Sequence, residues 1–145
     1  MISRTSDYAL RAILVIAREY DRPVRADEIA DSTGAPRNYL AKTLNALAKA
    51  GILRSARGPL GGFSLSSPPE ALTVARIVDC FETRKPHARC LLGTGFCNPE
   101  RPCAAHHVWT AITESRRHPL ATTTIADLLG TSRPDFATTS TGTLQ

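Results

Sequence analysis

The sequence predicts a mostly α-helical chain with one small β-hairpin, and three features carry that expectation. Apolar residues recur at helical spacing through residues 7–20, 36–50 and again after residue 103. Two short β-like runs, Ile52-Leu53-Arg54-Ser55 and Phe63-Ser64-Leu65-Ser66, flank a Gly- and Pro-rich tip that suits an extended hairpin. The 145 residues suffice for one compact domain with an appended helix and tail, and no apolar run approaches the ~18 residues of a membrane span.

The first helix is expected over residues 7–20, with Leu10, Ile13, Leu14 and Ala17 on one face and Ser3, Thr5 or Ser6 available as its N-cap. Pro23 ends it, because proline donates no backbone hydrogen bond and disfavours helix at the residue before it. A short helix over 26–32 follows, with Asp27 and Glu28 at its positive end, then a turn at Thr33-Gly34. Pro36 suits the first position of a third helix, whose stripe is Leu40, Leu44 and Leu47 and which Gly51 closes.

Charge sharpens this region. The net charge is +5, yet between Ser32 and Ser66 there is no Asp or Glu, while Arg37, Lys42, Lys49, Arg54 and Arg57 are all positive. Two helices joined by a tight glycine turn, the second basic and amide-bearing, meet the needs of a helix-turn-helix. Arginine and asparagine side chains can pair with base edges, and lysine can neutralise phosphate. The hairpin then supplies a wing with Arg57 at its tip, able to reach a minor groove or a phosphate. A phosphate-cradling nucleotide loop is the bland rival, but this loop joins strand to strand and lacks the Lys-Ser/Thr pair. Candidate DNA-binding residues are therefore Arg37, Asn38, Tyr39, Lys42, Arg54, Arg57, Gly58 and Gly61.

Pro68-Pro69 breaks the chain, and Thr73 caps a predicted helix over 74–81 whose apolar face is Val74, Ile77, Val78 and Phe81. Cys80 falls inside that helix and reads as a small buried residue. Cys90, Cys97 and Cys103 then lie within fourteen residues, separated by six and five residues rich in bend-forming Gly and Pro. Met1 leads into a polar turn rather than an apolar signal segment, so the chain is expected to be cytoplasmic, where clustered thiols bind metal or do redox chemistry more often than they form structural bridges. Zinc favours closer C-x₂₋₄-C pairs, whereas iron-sulfur clusters accept wider thiolate spacing and can take a histidine. The spacing tilts towards iron and sulfide.

A further helix is expected after Cys103, running to the His118-Pro119 step, with Ala105, Val108, Trp109 and Ile112 apolar. Its surplus apolar face predicts a homodimer. Thr124 caps a short closing helix ended by Gly130, and the Thr/Ser-rich stretch 131–145 reads as a disordered tail. The expected organisation is a winged helix-turn-helix over 1–82, a cysteine-rich loop over 83–107, dimerisation and closing helices over 104–130, and the tail. No nucleophile-base constellation is present, so an enzyme is not expected, and a basic helix-turn-helix has no part in electron transfer.

Four segments in register, Thr5-Ser6-Asp7-Tyr8-Ala9-Leu10-Arg11, Arg57-Gly58-Pro59-Leu60-Gly61-Gly62-Phe63, the three-cysteine loop and Thr124-Ile125-Ala126-Asp127-Leu128-Leu129, resemble the Rrf-type winged-helix iron-sulfur regulators, the group of IscR, NsrR and RirA. The resemblance spans roughly residues 1–130. It implies a homodimeric regulator, a repressor by expectation, that binds a double-stranded operator and carries an iron-sulfur cluster on Cys90, Cys97 and Cys103. In IscR-like members a histidine three residues after the last cysteine completes a [2Fe-2S] site, and His106 stands there; in NsrR-like members an aspartate from the partner's first helix completes a [4Fe-4S] cluster, and Asp7 matches it. His107 has no matching position. The first cysteine gap is one residue longer than the usual five. The implied signal is nitric oxide, redox state or iron-sulfur status, and the rival is a winged-helix regulator using the same cysteines as a thiol-disulfide switch or zinc site.

Overall fold

The computed structural model describes residues 2–82, 91–92 and 98–131. Its elements are α1 (Arg4–Arg18), α2 (Ala26–Thr33), α3 (Arg37–Lys49), β1 (Leu53–Ala56), β2 (Gly62–Leu65), a 3₁₀ turn (Pro69–Ala71), α4 (Val74–Val78), α5 (His106–Thr122) and α6 (Ile125–Thr131). This is the expected mostly helical winged helix-turn-helix with a C-terminal helix.

The core forms around α1, which packs against α2, α3, α4, α6 and β2. Ile13 and Ile16 of α1, Ile29 of α2, and Leu40, Leu44 and Leu47 of α3 are fully buried. Each contributes roughly 1.5–3 kcal/mol by leaving water. Ser3 is the N-cap of α1, its side chain accepting from the Ser6 N–H at 3.2 Å, so the helix starts at Arg4, three residues before the expected start at residue 7. It also ends earlier, at Arg18, before Pro23 is reached.

The helix-turn-helix corner is held by Thr33 and Gly34. The buried Thr33 hydroxyl donates to the Ile29 carbonyl at 2.7 Å and accepts from the Ala35 N–H at 3.3 Å. Gly34, at φ 69°, takes the left-handed conformation that lets α3 start in a new direction. Pro36 serves as the N-cap residue of α3 rather than its first helical residue.

β1 and β2 pair antiparallel in the register Leu53↔Leu65, Arg54↔Ser64, Ser55↔Phe63 and Ala56↔Gly62. The hairpin is tied to the body by a short bridge in which Val24 and Phe63 exchange N–H···O bonds of 2.9 and 2.8 Å. Gly62 is required at that crossing, because a Cβ there would lie 2.5 Å from the Val24 carbonyl oxygen.

Four expectations are corrected beyond α3. The helix expected over 74–81 stops at Val78, where tighter bonds from Cys80 N–H to Ile77 O and Phe81 N–H to Val78 O take over. Cys80 is consequently exposed, not a small buried residue. Pro119 does not end α5, since the Thr123 N–H donates to the Pro119 carbonyl at 3.0 Å and the Thr122 hydroxyl to the His118 carbonyl at 3.1 Å, holding one more turn. Gly130 lies inside α6, which runs to Thr131; residues 132–145, read as a tail, lie outside the described residues.

The junction of α5 and α6 is strapped back to the start of α4. Val74 N–H donates to Thr123 O at 3.0 Å and Ile125 N–H to Leu72 O at 2.8 Å, which buries Ile125 in the core. Thr124 and Asp127 cap α6 reciprocally, and the two N–H bonds to the Asp127 carboxylate and from its own amide measure 2.8 and 3.1 Å. No residue of α5 is buried.

Candidate nucleic-acid interface and metal centre

Down the exposed face of α3, Asn38, Lys42, Asn45 and Lys49 follow at i, i+4, i+7 and i+11, while Leu40, Thr43, Leu44 and Leu47 face inward. This is a basic, amide-bearing face with no carboxylate on it. Arg37 behaves differently. Its guanidinium forks to Asp27 and Asp31 of α2, the latter at 3.2 Å, so it braces the corner between the two helices. Tyr39 is also engaged: its hydroxyl is hydrogen-bonded to the Thr5 hydroxyl, and its ring meets that of Tyr8 edge-on at 5.7 Å.

On the wing, Arg57 and Gly58 are exposed at the tip, whereas Arg54 lies along the strand with Nη2 donating to the Ser66 carbonyl at 3.4 Å. Gly61 is buried. Its N–H closes the turn onto Gly58 O at 2.9 Å, and a Cβ there would meet the Ala56 carbonyl oxygen at 2.3 Å, so it shapes the wing from within. Two residues outside the candidate DNA-binding set join the surface. Leu60 is 90% exposed at the tip. Arg25, ahead of α2, lines an open cleft of about 180 Å³ with Ala56 and Gly58 of the wing. Leu60 could be found only as the one large side chain in a Gly/Pro run, and Arg25 only through the Val24–Phe63 bridge, which sequence spacing does not reveal.

Of the sulfur ligands inferred from sequence, Cys90 and Cys97 lie outside the described residues. Cys103 is half-buried at the threshold of α5, and its carbonyl accepts from the His106 N–H at 3.0 Å, placing thiol and imidazole on one turn. His106 is half-buried as well. Its Nδ1 and the Trp109 Nε1 are buried with no hydrogen-bond partner among the described residues. An orphaned imidazole nitrogen beside a cysteine is a donor set that suits an iron-sulfur centre. His107 is exposed, edge-on to His106 at 5.7 Å. Asp7 sits in the first turn of α1, with Oδ1 paired to Arg11 Nε at 3.0 Å. Among the described residues no three His, Cys, Asp or Glu side chains gather into a metal-binding group.

Near the cysteine segment, hydrogen bonds from the Ser6 hydroxyl and then from the Ser3 N–H hold the Glu82 carboxyl below the usual carboxylate range. Although Cys80 is exposed as a residue, partial desolvation of its thiol pushes it up, against the lowering effect of Arg76.

Residues 2–131 match the family model of Rrf2, described as an iron-dependent transcriptional regulator. The chain belongs to the Rrf2 family. A protein of Aquifex aeolicus (strain VF5) that bears the name of an HTH-type transcriptional regulator is 36% identical over 131 residues, covering 89% of this chain and 91% of that one. Among solved structures, CymR, the global cysteine regulator of B. subtilis, superposes with a TM-score of 0.78 at 26% identity, covering 91% of this chain and 98% of its own. T. potens IscR gives 0.74 at 25% identity, with 90% and 86% covered. This Rrf2 protein is thus a transcription regulator with a DNA-binding winged-helix fold, and no helix among its described residues is long and apolar enough to cross a membrane.

Proposed function

We propose that this Rrf2 protein is a cytoplasmic homodimeric repressor whose affinity for a double-stranded operator is set by an iron-sulfur cluster on Cys90, Cys97, Cys103 and His106, reporting nitric oxide, redox state or iron-sulfur status. The observation that carries the sensor is the buried, unpartnered Nδ1 of His106 one turn from Cys103. Asp7 is the weaker fourth ligand, because its carboxylate is already paired with Arg11. When bound, the cluster supplies redox chemistry and reactivity towards small oxidants.

The protein's own residues do the reading. Lys42 and Lys49 neutralise phosphates, Asn38 and Asn45 offer paired donors and acceptors to adenine edges, and Arg57 on the wing reaches the adjacent minor groove or backbone. Arg37 and Tyr39 set the pose of α3 instead of touching bases, and Gly61 shapes the wing.

Anaerobic purification followed by visible absorption, iron and acid-labile sulfide per chain tests the sensor. A brown protein with matched iron and sulfide is expected. Cys97→Ala should bleach it and His106→Ala should lower its iron, while Asp7→Ala leaves both unchanged. Colourless protein holding zinc, or thiols that form a reversible disulfide, would overturn the cluster and leave the thiol or zinc switch.

A further inference from the structure

Glu82 is the last described residue before the cysteine-bearing segment, and its carboxylate is turned back onto the start of α1. Oε1 accepts from the Ser3 N–H at 2.8 Å and from the Ser6 hydroxyl at 2.5 Å, across 79 and 76 residues of sequence. Ser6 is fully buried and Glu82 half-buried, so the contact is shielded from water on the Ser6 side only. Ser3 and Ser6 also form the N-cap of α1, which means the clasp and the helix start use the same two residues.

The next side of that turn faces α3. Thr5, between the two serines, shares a hydrogen bond with the Tyr39 hydroxyl, and Tyr8 packs edge-on against the Tyr39 ring. Tyr39 is in the first turn of α3, beside Asn38 and three residues before Lys42. One rigid helical turn is therefore gripped by Glu82 on one side and grips α3 on the other.

We propose that Glu82 is a positioning residue for operator reading, acting through the first turn of α1 on Tyr39 and so on the pose of α3. The chain of contacts is Glu82 to Ser3 and Ser6, then Thr5 and Tyr8 to Tyr39. Because Glu82 joins directly to the segment that leads to Cys90, any change that pulls on that segment reaches α3 by this route without touching DNA. The inference rests on α3 being the operator-reading helix.

The test uses the full chain with Glu82→Ala, Glu82→Gln, Thr5→Val and the Glu82→Ala/Thr5→Val pair. Hydrogen exchange is followed in the first turns of α1 and α3, and binding is followed with a labelled duplex that the wild type recovers from a random-sequence pool. Glu82→Ala should speed exchange in both turns and weaken the duplex by about fivefold, the size usual for contacting residues in one network. Glu82→Gln, whose amide oxygen accepts the same two hydrogens, should restore both. Thr5→Val should speed exchange at α3 alone, and adding Glu82→Ala to it should change α3 no further. If Glu82→Ala loosens α1 and leaves α3 exchange unchanged, or if the paired losses at α3 simply add, the clasp ends at α1 and the proposal is overturned. A wild type that recovers no duplex counts against the operator reading, while α3 exchange still decides the clasp.

Discussion

Gly62 is the position where a single methyl group would do most damage. A Cβ would sit 2.5 Å from the Val24 carbonyl oxygen, and the backbone is at φ 147°. Because the obstacle is backbone in the bridge that ties wing to body, it cannot swing aside. Gly62→Ala should destabilise the fold by about 1–3 kcal/mol, measured as a fall in thermal midpoint with the wing's bridge amides exchanging faster. Lys42→Ala and Arg57→Ala should leave stability alone but weaken duplex binding, each lowering the slope of log K against log salt by roughly 1. An unchanged slope for both would remove them from the interface. Glu82 adds a pH dependence. Its folded pKa is depressed below the ordinary 4.5, so its contribution is fully present above 4.5 and is lost as pH falls through the folded value. Acid unfolding of Glu82→Gln should accordingly be less steep below pH 4.5. These residue-scale roles were partly readable in advance. The basic bias of α3 is a composition fact, whereas the diversion of Arg37 to Asp27 and Asp31 depends on how two helices meet.

The helices themselves were legible where one face is buried throughout. α3 shows this best, with Leu40, Leu44 and Leu47 at helical spacing and all buried. Leu44→Ala should cost about 2–5 kcal/mol by leaving a cavity where a fully buried side chain stood, read from denaturant midpoints. Ends were less legible, because they are set by particular bonds. Ser3 starts α1 since it alone of the three candidate caps receives the Ser6 N–H, and Thr33 makes the corner by bonding both Ile29 and Ala35. Pro119 misled for the same reason. Proline in a helix interior costs about 3 kcal/mol, but the turn beyond it is held by the Thr122 and Thr123 bonds and delivers the chain to the Leu72–Ile125 strap. That strap joins residues far apart in sequence, and no local pattern announces it.

At the scale of the molecule, α5 is the element that keeps an apolar stripe exposed among the described residues. Trp109, Thr113 and Leu120 are half-buried, with Thr113 and Leu120 lining the cleft shared with α4, and Arg117 is paired with Asp79 at 3.3 Å. The opposite stripe of Val108, Ala111, Ile112 and Ser115 is exposed, Val108 by 60%. The apolar surplus was visible in the sequence; which stripe α4 covers was not, since that depends on the Asp79–Arg117 pairing and the strap that fix the rotation of α5. In the proposed homodimer a second copy laid against this stripe would cover both faces by two-fold symmetry, each copy bringing one α3 to the operator. The paired substitution Val108→Asp/Ile112→Asp should therefore yield a monomer by sedimentation. It should keep the wild-type helical circular dichroism, because neither side chain is buried in the chain's own core. The loss of two-site binding should weaken a palindromic duplex by at least about a hundredfold, while a single half-site duplex binds both proteins equally. A variant that still sediments as a dimer would place the interface on another surface and make the exposed stripe a site for some other partner.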